Sequence, residues 1–355
     1  MTGKCMNIGT MIVSKAARIA DRRCVFSIIV RRLRRTCPWR TLLALALLAG
    51  PVQALAQSQD RPLRVIVSTP PGAAMDSLAR LLADKMRASL AQTVLVENRT
   101  GAGGRIAAEY VKAAVPDGNT IMFVPFAVMV AIPLTHRKLS YDVFNDFAPV
   151  SQAARFELAL SAGPAAPART LAEFFALAKA NPKQGSFGTP GAGSLPHFFG
   201  IMVGRASGVE LLHVPYKGSA PAVAELLGGQ IAAVVTPIAD VYELHRSGKA
   251  RALATSGARR SPTLPDVPTF KELGYNAEAT PWYAFFAPAK TPRSASERVS
   301  RAVVDALKAP EVRDRLVKSG LEPTGTTPEE LAAILRTDHE RWAPVIKASG
   351  FVADD

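Results

Sequence analysis

From residue 61 to residue 255, short runs of Val, Ile and Leu alternate with segments whose apolar residues recur at helical spacing. That alternation restricts the chain to an α/β fold built on mainly parallel sheet. Leu63–Val67, Val94–Glu97 and Thr120–Val124 read as strands, with helices from Asp76 or Ser77 and over Ile106–Ala114 between them. A second series follows: strands at Phe156–Ser161, Gly185–Gly188, Leu211–Val214, Ile231–Val235 and Arg251–Thr255. Its helices fall at Thr170 onward, His197–Ala206, Ala220–Leu227 and Ala239–Ser247. An aromatic strand, Trp282–Ala287, precedes three helices at Ser294–Leu307, Pro310–Ser319 and Pro328–Ser349. A chain of 355 residues suits two domains. The C-terminal helices are expected to return over the first sheet while the middle segment forms its own domain.

The net charge of +14 points at first to an anionic partner, but its location argues otherwise. Residues 1–56 hold ten Lys/Arg and one acid, so +9 lies there and only +5 on the rest. The remainder lacks basic runs interleaved with aromatics, and no nucleic-acid partner is expected. The N-terminal charge belongs to an export pattern. Basic residues Arg31–Arg40 precede the apolar run Leu42–Ala49, then Pro51 and the small-x-small triplet Ala54-Leu55-Ala56. These are the three parts of a cleavable signal peptide, with an extended basic front and a cut near Ala56. All three cysteines, Cys5, Cys24 and Cys37, lie ahead of that cut, so the mature protein has neither disulfide nor thiolate chemistry.

Three strand-end loops could carry chemistry. Ser68–Asp76 (STPPGAAMD) joins a strand to a helix N-terminus, where free amide N–H groups and the helix dipole favour an anion. Gly188–His197 (GTPGAGSLPH) has the same logic and presents three glycines and two small hydroxyl residues. It is neither a Walker loop nor a hydrolase elbow. Pro215–Pro221 is the third, with Tyr216 and Lys217 as candidate wall groups. Gly101–Gly104 lacks the third glycine of a dinucleotide fingerprint and reads as a tight turn. The five histidines show no metal-ligand spacing, and no nucleophile–base–acid set is visible, so neither metal, cofactor nor catalysis is expected.

With these loops in hand, the chain resembles the Bug receptors, the periplasmic substrate-binding components of tripartite tricarboxylate transporters. The resemblance runs from about Arg61 to the C-terminus. It rests on PLRVIVSTPPG (62–72), VENRTGAGG (96–104), PDG (116–118), DFAPVS (146–151) and HVPYKGSAPAVAELLGGQ (213–230). SGKARALATSGARRSPTLPDVPT (247–269), FAPAKTP (286–292) and KASG (347–350) complete it. It implies a type II periplasmic-binding-protein fold: two Rossmann-like lobes joined by two crossover strands, lobe 1 from residues 57–157 and 283–355, lobe 2 from 158–282. The implied function is periplasmic capture of a small organic carboxylate between the lobes by a monomer, for delivery to the membrane subunits of a tripartite transporter. Alternatives are a ligand receptor for a membrane sensor, or an enzyme of the same fold.

The candidate ligand-binding residues in the first lobe are Ser68, Thr69, Pro71, Gly72, Ala73, Asp76 and Phe126. In the second they are Thr189, Gly191, Gly193, Ser194, His197, Tyr216 and Thr236. Two departures from the family pattern make the expected pocket less polar. Ala73 stands where relatives carry a second glycine, and Thr236-Pro237 where they often carry Asp-Asn. The expected ligand therefore has substantial apolar surface, such as an aromatic or branched monocarboxylate.

Overall fold

Leu63–Val67 (β1) is apolar apart from Arg64 and takes a parallel partner on each side, Val94–Asn98 (β2) and Thr120–Pro125 (β3). Only a strand covered on both faces tolerates such a continuous apolar run. The chain leaves β1 through Ser68–Ala73 into Ala74–Leu90 (α1), whose Met75, Leu78, Ala79, Leu82 and Met86 form one buried stripe. Ala102–Gly104 makes a short 3₁₀ turn ahead of Arg105–Lys112 (α2). Gly104 has φ +104, and a Cβ there would meet Val128 at 2.5 Å and Ser68 at 3.2 Å. The glycine therefore lets α2 start against the end of β1. The structure, a computed structural model, describes residues 61–353; the expected signal peptide lies outside them.

Two sheets organise the described residues. The first runs β11-β4-β10-β3-β1-β2, adding Phe147–Arg155 (β4), Trp282–Pro288 (β10) and Glu322–Pro323 (β11). The second runs β7-β6-β8-β5-β9, built from Leu158–Ala162 (β5), Ser186–Thr189 (β6), Leu212–Pro215 (β7), Ala233–Pro237 (β8) and Arg251–Thr255 (β9). Each sheet repeats one plan. A strand with parallel neighbours on both sides sits inside, and a strand arriving from the other sheet pairs antiparallel beside the third: β10 against β3, β5 against β8. The chain passes between sheets at Phe156–Glu157, and it returns before β10, where the Phe156 amide donates to the Pro281 carbonyl at 2.9 Å.

The helices of the second sheet are Leu171–Ala180 (α4), Leu195–Ser207 (α5), Ser219–Leu227 (α6) and Ile238–Arg246 (α7). The C-terminal helices Arg293–Lys308 (α8), Pro310–Lys318 (α9) and Pro328–Ser349 (α10) return to the first sheet. A capping box between Thr327 and Glu330, with Pro328 at the first position, starts α10 where the sequence predicts it. Trp342 of α10 is buried and packs edge-on to Phe126 at 6.2 Å.

Some elements escaped the sequence. Strand β4, its partner β11, and the π and α turns at Ala127–Ala131 and Ile132–Thr135 (α3) carry no helical or alternating signature of their own. The expected strand from Phe156 begins two residues later, because Phe156 and Glu157 form the link between the sheets. No described helix is long and apolar enough to cross a membrane.

Candidate functional site

In an open parallel sheet, ligands bind beyond the carboxyl end of the strand from which neighbouring connections run in opposite directions. Here that strand is β1 in the first sheet and β6 in the second. The two glycine-rich loops singled out in the sequence therefore leave the switch point of each sheet.

The β1–α1 loop is fastened from behind and open in front. Asp76, 2% exposed, accepts from the Gly72 amide at 2.9 Å, from Asn98 Nδ2 at 2.8 Å and from Arg80 Nε at 3.0 Å. Asn98 Nδ2 also donates to the Thr69 carbonyl at 2.9 Å. Burial pushes the Asp76 carboxyl up, but the hydrogen bonds from Arg80, Asn98 and Gly72 outweigh it and hold the group below its usual range. Gly72 takes φ +80, the left-handed region, to make the turn. Ala73 takes an extended conformation at the N-cap, which alanine accommodates, and offers α1 no side-chain cap. The amides of Ala74, Met75 and Asp76 consequently have no partner among the described residues.

The β6–α5 loop has the same place and the opposite economy of donors. Ser194 caps α5: its Oγ accepts from the His197 amide at 3.4 Å and donates to the Gly191 carbonyl at 2.7 Å. His197 Nδ1 accepts from the Gly193 amide at 3.1 Å. The His197 ring stacks on His213 with centroids 3.8 Å apart, and His213 Nε2 lies 2.7 Å from Thr189 Oγ1. Burial lowers both histidines, His213 to about 4, so both stay neutral at neutral pH. Tyr216 lies beside Gly188, where an added Cβ would come within 3.0 Å of its ring. Phe351 covers Gly193, where a Cβ would come within 2.7 Å of its ring.

A cavity of about 750 Å³ lies between the lobes. Gly72, Ala74, Ser77, Leu78 and Leu81 line it from the β1–α1 segment, and Pro237, Ala239 and Asp240 from the start of α7. Phe156 and Tyr283, one from each chain crossing, lie between these walls with ring centroids 5.5 Å apart. Glu311 and Arg315 of α9 complete the first-lobe side, and Glu311 is held by Lys85. Like α1, α7 has no side-chain cap, and the amides of Ala239 and Asp240 have no partner among the described residues. Two helix N-termini from different lobes thus bound one cavity, a favourable setting for an anion.

Of the residues singled out from the sequence, Gly72 lines this cavity, with Ser68, Thr69, Pro71, Ala73 and Asp76 in the loop that carries it. Thr189, Gly191, Gly193, Ser194, His197 and Tyr216 gather around the β6–α5 loop and do not line it. Phe126 is a core residue, 3% exposed and wedged edge-on against Trp282 and Trp342. Thr236 is fully buried in β8, and its neighbour Pro237 reaches the cavity instead. Sequence reasoning passed over Ser77, Phe156, Asp240, Tyr283 and Arg315. Only Asp240 carried a local signal, an acid in a first helical turn.

Residues 78–351 match the family model described as tripartite tricarboxylate transporter family receptor. Protein BugT of Bordetella pertussis is 34% identical over 310 residues, covering 87% of this chain and 95% of its own. Among solved structures, MatC of Rhodopseudomonas palustris with bound malate superposes with a TM-score of 0.66 at 30% identity, covering 81% of this chain and 99% of that one. The periplasmic binding protein BugD gives 0.67 at 32% identity, covering 83% of this chain and 99% of that one. A second R. palustris protein, solved with adipate, gives 0.69 at 30% identity over 82% of this chain and 98% of that one. With its paired sheets, its cavity between lobes and these matches, the chain belongs to the tripartite tricarboxylate transporter receptor family, whose members are periplasmic solute-binding proteins and not enzymes.

Proposed function

We propose that this protein captures a small organic carboxylate in the cleft between its lobes and delivers it to the membrane subunits of a tripartite transporter. The observation that carries this reading is the uncapped start of α1. Its unpaired amides open onto a cavity of about 750 Å³, and Asp76 fixes the loop that presents them. Relatives solved with malate and adipate support a carboxylate. The apolar side chains of Leu78, Leu81, Phe156, Leu316 and Leu321 beside those amides support a ligand with apolar surface.

In this reading the carboxylate sits at the first turn of α1, with Ser68, Thr69, Pro71, Gly72 and Ala73 shaping the approach. The β6–α5 loop, with Thr189, Gly191, Gly193, Ser194, His197 and Tyr216, contributes shape from the second lobe when the lobes close. The hinge is the pair of crossings near Phe156–Glu157 and Trp282, which would divide lobe 1 (57–157 and 283–355) from lobe 2 (158–282). Ligand touching both lobes shifts the open–closed equilibrium toward closed. Residues 1–56 serve as a cleavable export signal, and the mature chain acts as a monomer. Isothermal titration with mono-, di- and tricarboxylates tests the reading. Saturable binding, abolished by Ala74→Asp, is expected; heat of dilution alone across the panel would refute it.

A further inference from the structure

The chain beyond α10 is fastened to both lobes. Trp342, buried against Phe126, fixes the body of α10 to the first lobe. Gly350, at φ +69, ends the helix and turns the chain, and the Phe351 amide donates to Ser349 Oγ at 3.1 Å. The Phe351 ring then seats in the second lobe, edge-on to His197 and Phe198 with centroids 5.8 and 5.7 Å away. Its seat exists because residue 193 is a glycine: a Cβ there would stand 2.7 Å from the ring. Arg205 of α5 supports the same contact, donating from Nη2 to the Ala348 carbonyl at 2.6 Å. Two residues after Phe351 the chain is back on the first lobe, where the Ala353 amide donates to the Thr135 carbonyl of α3 at 3.1 Å.

Phe351 is thus a first-lobe side chain held in a second-lobe socket, with first-lobe attachments before and after it. From Phe351 to Ala353 the extended chain spans at most about 7 Å, so the first lobe cannot draw further from the socket unless the ring leaves it or the Ala353–Thr135 bond breaks. The crossings at Phe156–Glu157 and before Trp282 are covalent and can only bend, whereas the Phe351 contact can be made and unmade. We infer that Phe351 is a clasp on the motion of the lobes. Seated among Gly193, His197 and Phe198, it limits how far they separate, and its release admits the more open arrangement through which ligand exchanges. An aromatic ring suits this role, because it buries apolar area without a directional bond that would have to re-form in one geometry. The clasp rests on the two-lobe hinge proposed above and supplies what limits its travel.

Residues 61–353 contain no cysteine, so single cysteines at two exposed helical positions, Asp84→Cys in α1 and Lys179→Cys in α4, can carry nitroxide labels. Double electron–electron resonance then reads the distance between the lobes in the protein recovered from the periplasm, with circular dichroism confirming that each variant is folded. Phe351→Ala is expected to broaden the distance distribution about twofold and extend it to longer values. Phe351→Leu, which refills the socket, is expected to restore most of the original width. Ala353→Pro deletes only the amide given to Thr135 and should give a smaller lengthening; it carries the test if Phe351→Ala does not fold. Phe156→Ala, which removes the ring pair between the crossings, is the control for the hinge itself. A distribution that Phe156→Ala widens while Phe351→Ala and Ala353→Pro leave it unchanged would overturn the clasp and keep the hinge. A distribution that no variant changes would remove the hinge and the clasp with it.

Discussion

The β1–α1 and β6–α5 loops hold equivalent places in two sheets, one of six strands and one of five, yet they manage their helix N-termini differently. In the first, an alanine N-cap leaves three amides free, and the side chain that fixes the loop, Asp76, works from the buried side. In the second, Ser194 and His197 take up the amides of His197 and Gly193, and Phe351 lies over the glycine. A glycine-rich loop at a switch point keeps donors free for an anion only where no side chain has already satisfied them. The second lobe instead offers the cleft the uncapped start of α7.

The sharpest way to break this contrast is to place a charge on each helix start. Ala74→Asp is expected to weaken carboxylate binding at least 100-fold, whereas Ser194→Asp, which keeps an effective cap, should change affinity less than about threefold. Equal losses measured by calorimetry would show that both loops grip the anion. Next in size is Asp76→Ala. It strips a buried acceptor from Gly72, Asn98 and Arg80, and a loss of about 2–4 kcal/mol is expected in urea unfolding, together with weakened binding. Full stability would mean the loop holds itself.

A third prediction concerns the crossing between the lobes. Glu157 has a buried oxygen without a hydrogen-bond partner, and burial, with Glu322 nearby, raises its carboxyl to about 7. The folded state thus binds a proton that the unfolded chain, titrating near 4.5, releases. Glu157's contribution is therefore most favourable below pH 4.5 and is lost as the pH rises to 7. Glu157→Gln should flatten the fall in stability between pH 5 and 8 by about 1–3 kcal/mol, measured by denaturant unfolding at both pH values. An unchanged pH profile would place the titration elsewhere. The smallest effect belongs to the capped loop: Ser194→Ala should cost about 1 kcal/mol of stability and little affinity. A large affinity loss there would return the second loop to the centre of the site.

Much of the architecture was legible because periodicity and caps are local. The stripe of α1, the Thr327–Glu330 box of α10 and the β-branched run of β1 could be read from adjacent residues. The β1–α1 loop was legible for the same reason, since its glycine and the helix behind it are contiguous. Strand β4 was not, because its partners β10 and β11 lie more than a hundred residues downstream. Nothing local reveals that Trp282 and Trp342 enclose Phe126, or that Thr236 is buried within the second sheet.

By itself, the sequence determined the alternating α/β character, the two glycine-rich strand ends and the family. These follow from side-chain size and backbone freedom over a few consecutive residues. Only the tertiary structure decided which helix starts remain unsatisfied and which side chains share the cleft. Asp240, Tyr283 and Arg315 become neighbours of one cavity through the packing of two lobes, and hydrogen-bond satisfaction and desolvation depend on that packing.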